Sequence, residues 1–457
     1  MTTCFCISMK VTFFGGSKTV TGANYLIEYD GAKLLVDCGM LQGVDFVEHL
    51  NYDPFPFDPA TIDYLFVTHS HIDHVGRVPK LVRDGFRGKI VCTAPSADLA
   101  KLSLRDSVQI IAQEARLRGK PPFFTMADVQ ASDQYFEPHN YFETIKLPGG
   151  ANVKILSAGH VLGSAMYTFE IEGKILTFTG DLGNAPAPLI GPPDHVGPTD
   201  YLVIESAYGD RKHPPQQAGM ERLREIVEQT IKRGGTLLIP SFALERTQIV
   251  LFHLNNLVES GAIPAIPVYV DSPLAINITK VYRKYESYFK SDIQSQIAHG
   301  DQIFDFPMLR MSSSQDESKA INRVKGPKII IAGNGMSTGG RILFHEMRYL
   351  SNPNNTILLV GYQVQNSLGR QILDRKDYIH IFGKKIELRA HVEQISSFSA
   401  HADNPQLIHF VTNNITNQPR EIFVVQGEET AAEQLAFDLS ELGYKAYAPH
   451  YNESFTL

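Results

Sequence analysis

Hydrophobic positions along this chain keep one rhythm, change it, and then return to it. Near the start, KVTFF, NYLIEY and AKLLV are short apolar runs separated by glycine-bearing turns, which predicts consecutive antiparallel strands. YLFV at 64–67 reads as a buried strand, and residues 96–117 (SADLAKLSLRDSVQIIAQEARL) carry helical spacing. VKILS, MYTFEI, KILTF and YLVIE then supply further strand-like runs up to residue 205. Two mixed sheets with helices outside them accommodate this order.

From about Gln216 the texture changes. Helical stretches (217–234, 246–260, 341–350) alternate with apolar runs TLLIP, PVYV, KIII and TILLV. Such alternation predicts a parallel sheet with crossover helices. The closing stretch, from IELRAHVEQI through NPQLIHFV and EIFVV to a final helix, returns to the first style. We therefore expect a split first domain, 1–208 and 387–457, with an α/β domain inserted at 209–386. No internal repeat or low-complexity segment interrupts this plan.

Composition adds little to the fold but narrows function. A chain of 457 residues, 43% hydrophobic and 20% charged, is ordinary for a globular protein. The net charge of −7 argues against a non-specific nucleic-acid coat while leaving room for a local basic cleft. Cys4, Cys6, Cys38 and Cys92 form no Cys-x-x-Cys pair and no disulfide framework, so a reducing, cytoplasmic setting is expected. Residues 1–8 are too short and polar for a signal peptide, and no apolar run reaches spanning length, so no membrane role is expected.

Chemistry concentrates where the YLFV strand ends, in His69-Ser70-His71-Ile72-Asp73-His74. Four metal-ligand side chains in six residues suit two adjacent metal ions better than one closed structural site. His69 and His71, two apart, face the same way in extended chain. Three further groups stand at strand exits: His160 after VKILSAG, Asp181 after KILTFTG, and Glu205 ending YLVIE. One such histidine or carboxylate alone would read as a satisfied structural group. Together, downstream of a metal loop, they point to one site. Asp37, in LLVDCG, suits orienting a ligand as well as being one.

In this order, THSHIDHVGRVP, SAGHVLGSAMYTFE, TFTGDLGN and VIESAYGDR resemble the motifs of metallo-β-lactamase-fold RNA-processing nucleases of the β-CASP group. PSFALERTQ, VDSPLA, IAGNGMSTGGR, NTILLVGYQ and FSAHAD are similar to segments of that group too. The resemblance implies an αββα sandwich with an inserted parallel-sheet β-CASP domain that caps a cleft for a nucleic-acid strand. It implies two Zn2+ ions: His69, His71 and His160 on one, Asp73 and His74 on the other, Asp181 bridging. Glu205 and His401 would be the acid–base pair, and a homodimer is common among such proteins. A metal-bound hydroxide would attack the phosphodiester, with protonated His401 donating to the leaving oxygen.

One position departs from the pattern. The strand after FSAHAD usually ends in a zinc-binding histidine, whereas EIFVVQGEE places Gln426 there. An amide is a poorer zinc ligand than imidazole, so the second ion should be weaker or absent. His450 reads as a surface residue. Arg246, Ser337, Thr338 and Gly339 could meet phosphates, although the Gly339-Gly340 pair equally well only starts a helix. Glu245 beside Arg246 disfavours a phosphate chain, and Arg341 and Arg370 are weaker candidates. The expected activity is hydrolysis of single-stranded RNA. A DNA-directed nuclease, a small-ester metallo-hydrolase and a weakly active RNA-binding subunit stay open.

Overall fold

The computed structural model describes residues 9–43 and 49–457, so Cys4 and Cys6 lie outside the described residues. The chain divides into two compact units, one made of residues 1–212 and 400–457, the other of 213–399.

The first unit is built on two seven-stranded sheets. In one, Ala32–Val36, Tyr64–Phe66 and Lys89–Thr93 run parallel, joined to the antiparallel hairpins of Lys10–Phe13 and Tyr25–Tyr29. In the other, Lys174–Phe178, Tyr201–Glu205 and Glu421–Val425 run parallel. Asn152–Ser157 and Ala165–Ile171 extend that sheet as antiparallel neighbours.

Why these runs are apolar almost without a break follows from what each face meets. Tyr25, Ile27, Leu34, Val36 and Phe66 face Val153, Tyr167, Phe169, Phe178 and Val203 in the layer between the sheets. Their neighbours Leu26, Leu35 and Leu65 turn the other way, toward helical residues Val78, Leu81, Ala97 and Leu104. On the far side, Leu202, Ile204, Ile422 and Val424 pack against Leu407, Phe410, Leu435 and Leu439. Both faces of both sheets are covered, giving four layers in αββα order. Aromatic rings knit the middle layer, with Phe66 and Phe169 edge-on at 5.0 Å. Each such fully buried side chain contributes about 1.5–3 kcal/mol.

The second unit carries a six-stranded sheet in which all five pairings are parallel. Helix Gln216–Lys232 leads into the first strand, and Arg246–Glu259, Pro273–Lys284 and Ile342–Tyr349 lie in the crossovers. IELRAHVEQI, expected to begin the returning part, belongs here instead. Lys384–Glu387 closes a hairpin with Tyr378–Ile381, and His391–Gln394 pairs in parallel with Thr356–Leu359, so this unit runs to Ser399 and not to 386. Among the described residues, no helix is long and apolar enough to cross a membrane.

Candidate metal centre

Most of the candidate ligands follow or end the carboxyl ends of strands that point to one edge of the sandwich. Asp37 and His69 leave Ala32–Val36 and Tyr64–Phe66; His160, Asp181 and Glu205 leave or end Asn152–Ser157, Lys174–Phe178 and Tyr201–Glu205. That edge is where open sheets bind ligands.

His71 caps the one-turn helix Ile72–Val75, which presents Asp73 and His74. The segment after Asp37 packs tightly on this turn, the Cys38 N–H donating to the His74 carbonyl. A Cβ on Gly39 would fall 1.6 Å from the Asp73 carbonyl oxygen, so only glycine permits the approach.

Side chains then converge. His69 Nε2 lies 2.9 Å from His71 Nδ1 and 3.5 Å from Asp181 Oδ2. His160 Nε2 lies 3.4 Å from His71 Nδ1 and 3.7 Å from Asp181 Oδ2. On the other side of the same carboxylate, His74 Nε2 lies 3.3 Å from Asp181 Oδ1 and 3.6 Å from Asp73 Oδ2. Donors around a tetrahedral zinc, each about 2.1 Å from it, stand about 3.4 Å apart. The first group therefore fits a zinc ion as it stands: three imidazole nitrogens and one carboxylate oxygen, facing one another at ligand spacing. Asp181 gives one oxygen to each side.

Burial keeps His69 and His160 well below the usual imidazole pKa, hence neutral and able to donate a lone pair. For Asp181, burial works against the charge, but the neighbouring His74 holds the carboxyl well below its ordinary range. Asp37 orients the ligands. It accepts from the Thr68 N–H and hydroxyl, both at 2.8 Å, and pairs with His74 Nδ1 at 2.7 Å, which turns His74 Nε2 toward the cluster. Thr68 also lies 3.1 Å from His69 Nδ1. The sequence reading missed this threonine, whose only signal is a hydroxyl at the exit of an otherwise apolar strand.

Glu205 and His401 come together although 196 positions apart, with Nδ1 of His401 3.3 Å from Glu205 Oε1. Glu205 is fully buried and accepts the Leu182 and Ala207 N–H groups. Burial opposes the charge on His401, but Glu205, Asp181 and Asp73 overcome it and hold the imidazole pKa at about 9. The ring remains about one-quarter exposed, so its proton can reach a ligand.

Gln426 follows Glu421–Val425 and reaches Asp73 and His74. The proposed phosphate contacts all lie in the second unit. Arg246 opens its helix, with Nε and Nη1 buried and without hydrogen-bond partners. Thr338 is exposed and Gly339 half-buried, whereas the Ser337 hydroxyl donates to Glu346 and its N–H to the Asn334 carbonyl. Arg341 is engaged by Asp271 and Arg370 by Asp374.

A four-layer sandwich with histidines and carboxylates gathered at one strand edge defines a metallo-hydrolase of the metallo-β-lactamase fold. Residues 19–131 match the metallo-beta-lactamase superfamily, 247–372 the Beta-Casp domain, and 385–449 the Zn-dependent metallo-hydrolase RNA specificity domain. A protein of Thermus thermophilus named Ribonuclease TTHA0252 is 36% identical over 421 residues, covering 92% of this chain and 94% of that one. The chain belongs to the β-CASP family of the metallo-β-lactamase superfamily. An RNase J-like protein of Methanocaldococcus jannaschii is 31% identical over 91% of this chain and 92% of its own. The transcription termination factor FttA of Methanosarcina mazei is 30% identical over 94% of this chain and 68% of its own length. A crystal structure of a protein of unknown function from Enterococcus faecalis V583 shares the fold, with a TM-score of 0.59 at 13% identity, over 98% of this chain and 100% of that one.

Proposed function

We propose that this chain is a zinc-dependent ribonuclease that hydrolyses phosphodiester bonds of single-stranded RNA. The observation that carries the reading is Asp181, whose two oxygens face His69 and His160 on one side and His74 on the other. Relatives named ribonuclease and RNase J-like, aligned along nearly the whole chain, supply the substrate class.

Zinc, when bound at His69, His71, His160 and Asp181, supplies a water ionised near neutral pH and positive charge for the phosphoryl oxygens. The protein's own groups do the rest. His69 and His160 stay neutral by burial, Asp37 and Thr68 fix the rings, and His401 carries the proton for the departing oxygen. Glu205 keeps that proton in place and stays anchored by two backbone N–H groups. Of the expected RNA-backbone contacts, the exposed Thr338 suits that role, with half-buried Gly339 beside it, whereas Arg246 is buried next to Glu245.

Cytoplasmic residence belongs to the same proposal, supported by the buried, unpaired Cys38 and Cys92. Incubating the zinc-loaded protein with end-labelled RNA and DNA tests the reading, with His160→Ala as control. Cleavage of RNA that disappears in the variant is expected. Equal cutting by the variant, or of DNA alone, would overturn it.

A further inference from the structure

We infer that Gln426 makes the two ion positions unequal: one zinc is held firmly at His69, His71, His160 and Asp181, while an amide closes the Asp73–His74 side to zinc at concentrations that fill the first. The inference rests on the nuclease reading above and concerns the chain's own selectivity for its metal.

Residue 426 is buried and its backbone is left-handed, with φ at 51°. Its N–H donates to the Gly16 carbonyl at 2.6 Å, which fixes where the side chain starts. From there Nε2 lies 3.0 Å from the Val20 carbonyl, 3.0 Å from Asp73 Oδ2 and 3.1 Å from His74 Nε2, donating to the two oxygens. Asp37 engages the other ring nitrogen of His74, so Nε2 is the atom facing the cluster. The amide nitrogen thus occupies the place beside Asp73 and His74 that a cation would take. An amide nitrogen has no lone pair to give in return, so in this orientation Gln426 contributes no ligand.

Turning the amide over has a cost and a consequence. The cost lies at Val20, whose carbonyl would lose its donor and face Oε1 instead, with Asp73 Oδ2 close by. Three oxygens brought together in a buried place repel unless a cation lies among them. Oε1 is buried now without a hydrogen-bond partner, beside Gly16, where a Cβ would come within 2.6 Å of it. The consequence is a changed donor set. With Oε1 inward, the second position offers oxygens from Asp73, Asp181 and Gln426 and one nitrogen from His74, against three nitrogens and one oxygen at the first. Imidazole-rich sets suit zinc, whereas carboxylate and carbonyl oxygens suit manganese and magnesium. The second position should therefore discriminate less between zinc and manganese than an imidazole at 426 would.

The test counts ions and needs no assay of cleavage. Full-length protein, stripped with chelator and confirmed folded by circular dichroism, is titrated with zinc, bound ions being counted by native mass spectrometry and affinities read by calorimetry. We expect one firmly bound zinc, and a second step weaker by more than the about ten- to hundred-fold that loss of even an outer partner costs a metal site. Gln426→His should bring the second step within tenfold of the first. Gln426→Glu, which keeps the side-chain length and supplies a carboxylate, should tighten it as well. Manganese titrations followed by electron spin resonance should show the second position's zinc-over-manganese preference at least tenfold smaller in the native chain than in Gln426→His. Two zincs bound within tenfold of each other by the native chain, or a second step that neither substitution tightens, overturns the inference and leaves the nuclease reading standing. A folded chain that takes up no zinc overturns both.

Discussion

Each unit of this protein gathers buried polar side chains at the carboxyl ends of parallel strands, but the two clusters are paired differently. In the second unit Asp271 follows Val268–Val270 and accepts from Ser318, His345 and Arg341, with Arg341 and His345 both at 2.7 Å. Burial opposes its charge, and the hydrogen bonds from His345, Ser318 and Arg341 still hold it below the ordinary carboxylate range. Donors there meet acceptors. In the first unit, imidazole nitrogens face one another and share a carboxylate, with His69 Nε2 and His71 Nδ1 at 2.9 Å. Nitrogen and oxygen atoms of ligand type gather there at ligand spacing, an arrangement that a cation completes. The same residue types thus act as a staple in one unit and as a ligand cage in the other, and mutual pairing decides which.

Four substitutions probe that contrast. His160→Ala should have the largest effect, abolishing zinc uptake by the first position and all RNA cleavage in a chain that remains folded; calorimetry with zinc and a gel assay read it. His401→Ala should keep its zinc and lose about 10²–10⁴ in turnover, the usual contribution of a general acid. Its sign with pH follows from the protonated ring being the active form. Native activity should fall as pH rises past the His401 pKa, about 9 before bound cations lower it, and that alkaline limb should vanish in the variant.

Asp271→Ala should instead cost stability, about 3–5 kcal/mol for a buried ion pair left with one member, with cleavage per folded molecule retained. Denaturation of the second unit checks it. Loss of cleavage without loss of stability would erase the distinction between the clusters. The mildest test is Glu346→Gln. Burial pushes the Glu346 carboxyl up to about 8, with the Ser337 hydroxyl a partial counterweight. Its folded-state pKa lies above the usual glutamate value, so its contribution to stability is present in acid and is lost as pH rises toward 8. The glutamine variant should melt higher than the native chain at pH 8 and lose that decline, by at most about 1.4 kcal/mol for each pH unit crossed.

Much of this was legible along the chain, for physical reasons that differ by element. His69, His160, Asp181 and Glu205 stood out because apolar strands ended abruptly in ligand-type residues, and strand ends in a covered sheet collect at one edge. The four-layer plan was legible because apolar runs without alternation demand cover on both faces. The strand His391–Gln394 was misplaced since four residues carry no mark of which sheet they join; only pairing with Thr356–Leu359 decides it. The Val20 and Gly16 carbonyls that orient Gln426 were invisible, because a backbone group has no letter of its own. Thr68 was overlooked for a related reason, its role being set by Asp37 thirty-one positions earlier.

The shared carboxylate is where the whole account can be tested in one measurement. Zinc-loaded native chain and folded Asp181→Ala, each given end-labelled single-stranded RNA, should differ completely, the first cutting and the second inert with its zinc lost. A variant that cuts at the native rate would contradict the assignment of this cluster as the seat of catalysis.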